Sequence, residues 1–174
     1  FGLHSSTSQA LFGERLLLDG GNGEKIDLGR VGQVTRVDCE LINDCSRAGI
    51  IPVIPSLAHD ADAGWLNVNA DTAAAGVAAE MNAAKLVMMT DTPGILRDRA
   101  DSNSLITSLT TDGCRQLIRE GIIDSGMIPK VEACLDALRA GVGKTHIIDG
   151  RLRHSLLLEI FTDGASSEIG TRQL

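Results

Sequence analysis

The chain has 174 residues, 43% hydrophobic, 22% charged and 2% aromatic, with a formal net charge of −7. Such a chain can bury one sizeable core, and with no Tyr that core must rest on Val, Ile, Leu and Ala, as in an α/β protein. The acidic balance counts against a nonspecific nucleic-acid surface, and the scarcity of rings against an aromatic binding platform.

An anionic substrate stays open, because a site can be locally positive in an acidic protein. No apolar run approaches the roughly 18 residues of a membrane span and no signal peptide is visible, so neither a membrane partner nor export is expected and the cytoplasm is the default. Cys39, Cys45, Cys114 and Cys134 form no CxxC pair and no His lies at zinc-ligand spacing; they read as small buried hydrophobes in a reducing compartment. The chain starts at Phe1 in a stretch that looks internal, and reads as the later part of a longer protein.

Along the chain, Asp19-Gly20-Gly21-Asn22-Gly23 is a turn signal joining strands over Glu14–Leu18 and Lys25–Leu28. Val31–Val37 reads as a strand. Cys39, Leu41, Ile42 and Cys45 carry helical spacing in Asp38–Ala48, with Gly49 as the stop. Ile50–Ile54 is a short apolar strand, followed by a polar loop over His59–Gly64. A helix is expected over Thr72–Ala83, a buried strand over Lys85–Met89, and a helix capped by Thr110 or Thr111 running to about Glu120. Val131, Cys134, Leu135 and Leu138 place a helix over Pro129–Ala140. Thr145–Ile148 reads as a strand, Ser155–Phe161 as a helix, and the tail as irregular. Short apolar strands alternating with helices predict an α/β fold, a three-layer α/β/α sandwich on a mainly parallel sheet. The expected seam lies near Ala84, dividing the chain into 1–83 and 84–174.

The polar residues at strand and helix ends carry the candidate chemistry. Leu66-Asn67-Val68-Asn69-Ala70-Asp71 alternates apolar and polar residues, which puts Asn67, Asn69 and Asp71 on one face of an extended segment. Asp71 reads equally well as a helix N-cap, worth about 1 kcal/mol. Lys130 stands in the first turn of its helix, where a cation opposes the macrodipole by up to about 1 kcal/mol; a bound anion would explain it, and a solvated lysine offset by Glu132 is the plainer account. Thr90-Asp91-Thr92-Pro93-Gly94 is either a strand-terminating turn or a loop that lets backbone approach a ligand, with Asp91 accepting from a ribose hydroxyl or an adenine amine. Gly20-Gly21-Asn22-Gly23 lacks the Lys-Ser/Thr of a phosphate loop and reads as a hairpin turn.

Several blocks carry a family resemblance: Asp27-Leu28-Gly29-Arg30-Val31-Gly32-Gln33-Val34, Gly49-Ile50-Ile51-Pro52-Val53-Ile54, Asn67-Val68-Asn69-Ala70-Asp71-Thr72-Ala73-Ala74, Thr90-Asp91-Thr92-Pro93-Gly94-Ile95-Leu96, Gly126-Met127-Ile128-Pro129-Lys130-Val131-Glu132-Ala133 and His146-Ile147-Ile148-Asp149-Gly150-Arg151. In this order, and over nearly the whole chain, the sequence resembles the N-acetyl-L-glutamate kinases of the amino-acid kinase family. The resemblance implies ATP-dependent phosphorylation of the γ-carboxylate of N-acetyl-L-glutamate, the second step of arginine biosynthesis, with Mg²⁺ carried by the nucleotide. It implies that Lys130 stabilises the phosphoryl group in flight, that Asp71 orients catalytic lysines, and that Asn67 holds the acetylglutamate. It assigns Asp91, Thr92, Pro93, Gly94, Ile95 and Leu96, with Ile122, Ile123 and Asp124, to the nucleotide site. His146 and Glu159 match the arginine effector site of inhibited family members, although the Asp163–Thr171 loop is longer here, so L-arginine is a candidate inhibitor. The full-length form is expected to be a homo-oligomer. The family's N-terminal portion, with a Gly-rich loop and a second lysine, is absent, so this chain alone is expected to show little or no kinase activity. The rival readings are an amino-acid kinase acting on another acidic amino acid, and a non-catalytic nucleotide-binding fragment.

Overall fold

The computed structural model describes residues 2–5, 8–21, 23–62, 64–161 and 166–170. The chain divides into two compact units, Phe1–Met81 and Asn82–Leu174, a boundary just before the expected seam at Ala84.

In the first unit, β1 (His4–Ser5) pairs with β2 (Ser8–Gln9), and β3 (Leu11–Asp19) forms an antiparallel hairpin with β4 (Lys25–Val37). The expected hairpin is present with longer arms, because the segments expected at 25–28 and 31–37 fuse into one strand. Its turn is tied by the Gly20 N–H donating to the Glu24 carbonyl at 2.8 Å; Asn22 of the turn signal lies outside the described residues. Helix α1 (Cys39–Arg47) starts at Asp38, whose Oδ1 accepts from the Leu41 N–H at 3.0 Å.

The strand expected over Ile50–Ile54 is absent. Only Val53 bridges, to Gly2, and Ile51 is 81% exposed. An apolar run becomes a strand only where a neighbour offers a ladder of N–H and C=O groups, and among the described residues this run carries one bridge. Conversely, β5 (Leu57–Asp60) occupies part of the expected 59–64 loop and pairs antiparallel with β6 (Gly64–Val68). The four longer strands close in the order β3-β4-β6-β5, with β4–β6 and β3–β5 parallel. Leu3, Leu11, Val37, Ile42, Ala58 and Val68 fill the core, which Ala73 of α2 (Ala70–Glu80) completes. Each fully buried Leu or Ile contributes about 1.5–3 kcal/mol of transfer free energy.

The second unit runs β7 (Lys85–Thr90), β8 (Ser108–Thr110), α3 (Thr111–Arg119), α4 (Ile128–Arg139), β9 (Lys144–Asp149), α5 (Ser155–Phe161) and β10 (Ser167–Gly170). Its sheet has the order β7-β9-β10-β8; β7 and β9 are parallel, as are β8 and β10, and one antiparallel join links β9 to β10. Helices α3, α4 and α5 pack on these strands. The helices follow their sequence signals: Thr110 Oγ1 accepts from the Gly113 N–H at 3.0 Å, and Val131, Cys134, Leu135 and Leu138 are all buried. Strand β10 corrects the irregular tail: Ser167, Glu168 and Ile169 pair with Ile147, His146 and Thr145. Residues 162–165 and 171–174, which include part of the expected 163–171 loop, lie outside the described residues.

Cys114 and Cys134 are buried, Cys39 and Cys45 half-buried, and all four are free thiols. Burial, reinforced by Cys134, pushes the Cys114 thiol up to about 12, the behaviour of an inert packing residue. Among the described residues, no helix is long and apolar enough to cross a membrane.

Candidate nucleotide and substrate sites

Asn67 and Asp71 belong to the first unit. Asn67 lies near the end of β6, exposed, between the buried Leu66 and Val68, so the alternation holds this far. It does not continue to Asp71. Asn69 is the N-cap of α2, its Oδ1 accepting from the Thr72 N–H at 3.0 Å and from the Thr72 hydroxyl at 3.2 Å. Asp71 is therefore neither on an extended face with Asn67 nor the cap; it stands in the first helical turn. The physical reason is local: an Asn cap ahead of an Ala-rich run starts a helix before a two-residue alternation can extend. A carboxylate there complements the macrodipole, so Asp71 supports its helix as well as presenting a charge.

The nucleotide candidates belong to the second unit and come from two loops. One leaves the carboxyl end of β7; the other joins α3 to α4. Thr92, Gly94, Ile95 and Leu96 from the first meet Ile122, Ile123 and Asp124 from the second in an open cleft, joined by Arg99 and Met127. Asp91 and Pro93 are not among the lining residues. Asp91 lies toward the end of β9 instead, where its charge acts on Arg151. Arg151 donates through Nε and Nη2 to the two oxygens of Asp149, at 2.9 and 2.7 Å, and holds that carboxyl below its usual range.

The first loop is pinned from a place the sequence did not point to. The Ser167 hydroxyl of β10 accepts from the Ile95 N–H at 2.9 Å and donates to the Ile106 carbonyl at 2.7 Å. Gly94, at φ 138°, passes so close that a Cβ would stand 2.8 Å from Ser167 Oγ. The second loop is held by Asp124, whose Oδ1 accepts from the Met127 N–H at 2.8 Å and whose Oδ2 pairs with Arg99 Nη2 at 2.5 Å. Met127 caps α4, and Lys130 follows it within the first turn, on the same side of the helix. No acidic side chain shares that turn. The cleft thus has apolar walls suited to a flat base, backbone at close approach, and a helix start that attracts anions.

His146 and Glu159 do come together. His146 Nδ1 lies 2.6 Å from Glu159 Oε1 and 3.3 Å from Ser166 Oγ, with the ring 3% exposed. Lys85 reaches the same Glu159 oxygen at 3.4 Å, Lys144 pairs with Glu168 at 3.1 Å, and His146 Nε2 has no hydrogen-bond partner, with Glu168 Oε2 3.7 Å away. Burial holds the imidazole below its usual pKa, with Lys85 and Lys144 adding to the depression and Glu159 and Glu168 opposing it. The unfolded chain therefore takes up this proton first. Stability is full above the unfolded value of about 6.5 and declines as pH falls through it. The expected result is a melting temperature that falls between about pH 7 and 5.5, with the fall reduced in His146→Gln; parallel melting-versus-pH curves for the two would refute it.

Arg99, Met127 and Ser167 are the residues that sequence reasoning missed. Arg99 lies in the mixed-charge run Arg97-Asp98-Arg99-Ala100-Asp101, which looks like any solvated loop, and Ser167 lies in a tail without periodicity.

Residues 1–149 match the model of the amino acid kinase family. The acetylglutamate kinase of Methanosphaera stadtmanae is 52% identical over 143 residues, covering 81% of this chain and 48% of that protein. A solved structure of N-acetylglutamate synthase from Neisseria gonorrhoeae, complexed with coenzyme A and N-acetyl-glutamate, superposes with a TM-score of 0.84 at 26% identity, over 95% of this chain and 37% of that one. Carbamate kinase from Giardia lamblia shares the fold, with a TM-score of 0.62 at 15% identity over 90% of this chain and 52% of that one. The chain spans about half the length of the curated relatives it matches. With the family model matching residues 1–149 of 174, this chain belongs to the amino acid kinase family.

Proposed function

We propose that this chain is part of an acetylglutamate kinase, which transfers the γ-phosphoryl group of ATP to the γ-carboxylate of N-acetyl-L-glutamate in the second step of arginine biosynthesis. The observation that carries the reading is the cleft, in which two loops distant in sequence meet beside the start of α4. The similarity to acetylglutamate kinases supplies the substrate.

In this reaction a carboxylate oxygen attacks the γ-phosphorus while the bond to the β-γ bridging oxygen breaks, releasing ADP. Both reactants are anionic, so positioning and charge neutralisation account for most of the rate. Lys130 neutralises the moving phosphoryl group; Asp71 orients the catalytic lysines; Asn67 holds acetylglutamate. Ile95, Leu96, Ile122 and Ile123 hold the base. Among the described residues no group of His, Cys, Asp or Glu is placed to hold a metal ion. Mg²⁺, carried with the nucleotide, would supply further charge neutralisation. The buried His146–Glu159 pair is the proposed contact for L-arginine as an inhibitor, and the active form is a homo-oligomer.

The test is a coupled assay with Mg-ATP on a protein of the relatives' length carrying this sequence, offered acetylglutamate, glutamate and aspartate, with and without L-arginine. Acetylglutamate is expected to be preferred by more than about tenfold in kcat/KM. Equal rates on a free amino acid would overturn the substrate, and a rate indifferent to arginine would remove the effector. The 174-residue chain alone is expected to show little or no turnover.

A further inference from the structure

The ion pair between Arg99 and Asp124 does little for stability. The Arg99 side chain is 70% exposed and that of Asp124 26%, and a pair this open is largely screened by solvent. Asp124 already has a structural task, since its other oxygen accepts the Met127 N–H ahead of α4. Arg99 has no such task, and it is the only cation among the described residues lining the cleft. Its guanidinium carries five N–H donors in a rigid plane, more than the two oxygens of one carboxylate can engage, and Nη2 pairs with Asp124 Oδ2 at 2.5 Å. Arginine loses much rotamer freedom when it is fixed by a ligand. Here the side chain is held beforehand by a carboxylate that is itself fixed, at the lining of the cleft, which lowers the cost of fixing it on a ligand.

We propose that Arg99 is a phosphate-positioning residue of this cleft, anchored by Asp124 so that its remaining N–H groups donate to the polyphosphate of the bound nucleotide. This rests on the nucleotide reading of the cleft. A base lying between Ile95, Leu96 and the Ile122–Ile123 backbone leaves its charged tail to be met, and a planar donor fork suits phosphate oxygens.

The test uses the 174-residue chain in calorimetric titrations with adenosine, ADP and ATP, for wild type, Arg99→Ala, Arg99→Lys and Asp124→Asn, with thermal melts as the folding control. Arg99→Ala is expected to weaken ATP and ADP by about tenfold and leave adenosine unchanged. Arg99→Lys is expected to recover part of the loss, since it restores the charge without the fork. Asp124→Asn is expected to fall between, because the arginine remains but loses its anchor. Raised salt is expected to narrow the gap between wild type and Arg99→Ala. An Arg99→Ala variant that binds ATP like wild type, or that loses adenosine and ATP equally, overturns the role of Arg99 while the cleft reading stands. A wild-type chain that binds none of the three ligands overturns the cleft reading itself.

Discussion

Replacing Lys130 by Met, in a protein of the relatives' length, is expected to lower kcat by about a hundredfold while the protein stays folded at the assay temperature. Removing a preorganised donor from a developing charge costs about 3 kcal/mol of transition-state stabilisation, and each 1.36 kcal/mol is about tenfold in rate. Lys130 stands in the first turn of α4, where its charge opposes the macrodipole by up to about 1 kcal/mol, so helix stability does not account for a cation there. Met keeps the length and the apolar stem, so packing along the helix is preserved. Lys130→Arg is expected to recover only part of the rate, because a planar fork cannot occupy the place of a compact ammonium. A solvated lysine with no part in the chemistry predicts a different result, a kcat within about threefold of wild type. The rate, read with a thermal melt as the folding control, decides between the two.

How far the sequence alone reached depended on how local each signal was. Helices α3, α4 and α5 were legible because their cues lie within one or two turns: a Thr cap, an i, i+3, i+4, i+7 stripe, a Gly stop. Strands β7 and β9 were legible because each is a compact apolar run. Strand β10 was not, since Ser167-Glu168-Ile169-Gly170 has no apolar run and becomes a strand only by pairing with β9 and β8. Ile50–Ile54 shows the reverse failure, an apolar run with only one bridging partner. The candidate site divides in the same way. Thr90–Gly94 drew notice through its own residue types and Ile122–Asp124 only through the family resemblance, whereas Arg99 carries no local mark and enters only through its distance to Asp124. Asp71 was expected on an extended face with Asn67 and stands in a helix instead, because the helix begins sooner than the alternation suggested.

Gly94→Ala is expected to destabilise the second unit by about 2–6 kcal/mol and to weaken nucleotide binding with it. Two effects add. At φ 138° a residue with a side chain is strained, by about 1–3 kcal/mol, and an inserted methyl group in a packed site costs about 1–3 kcal/mol more. The methyl carbon would stand 2.8 Å from Ser167 Oγ and 2.9 Å from Leu105 Cδ1. Ser167 cannot step aside freely, since its hydroxyl bonds both the Ile95 N–H and the Ile106 carbonyl. Relief must come from shifting Ile95, a wall of the cleft, or from opening the join of β10 to the sheet. For a unit of this size each kcal/mol lowers the melting temperature by about 4–8 °C, so the drop should be plain in a thermal scan. Gly121→Ala is the control. Gly121 also has positive φ, 72°, but a Cβ there meets nothing within 4 Å, so it reports backbone strain without crowding. Equal losses in the two variants would show that the anchoring of the loop by Ser167 contributes nothing. A larger loss at Gly94, accompanied by weaker ATP binding at temperatures where both variants are folded, is the result this packing requires.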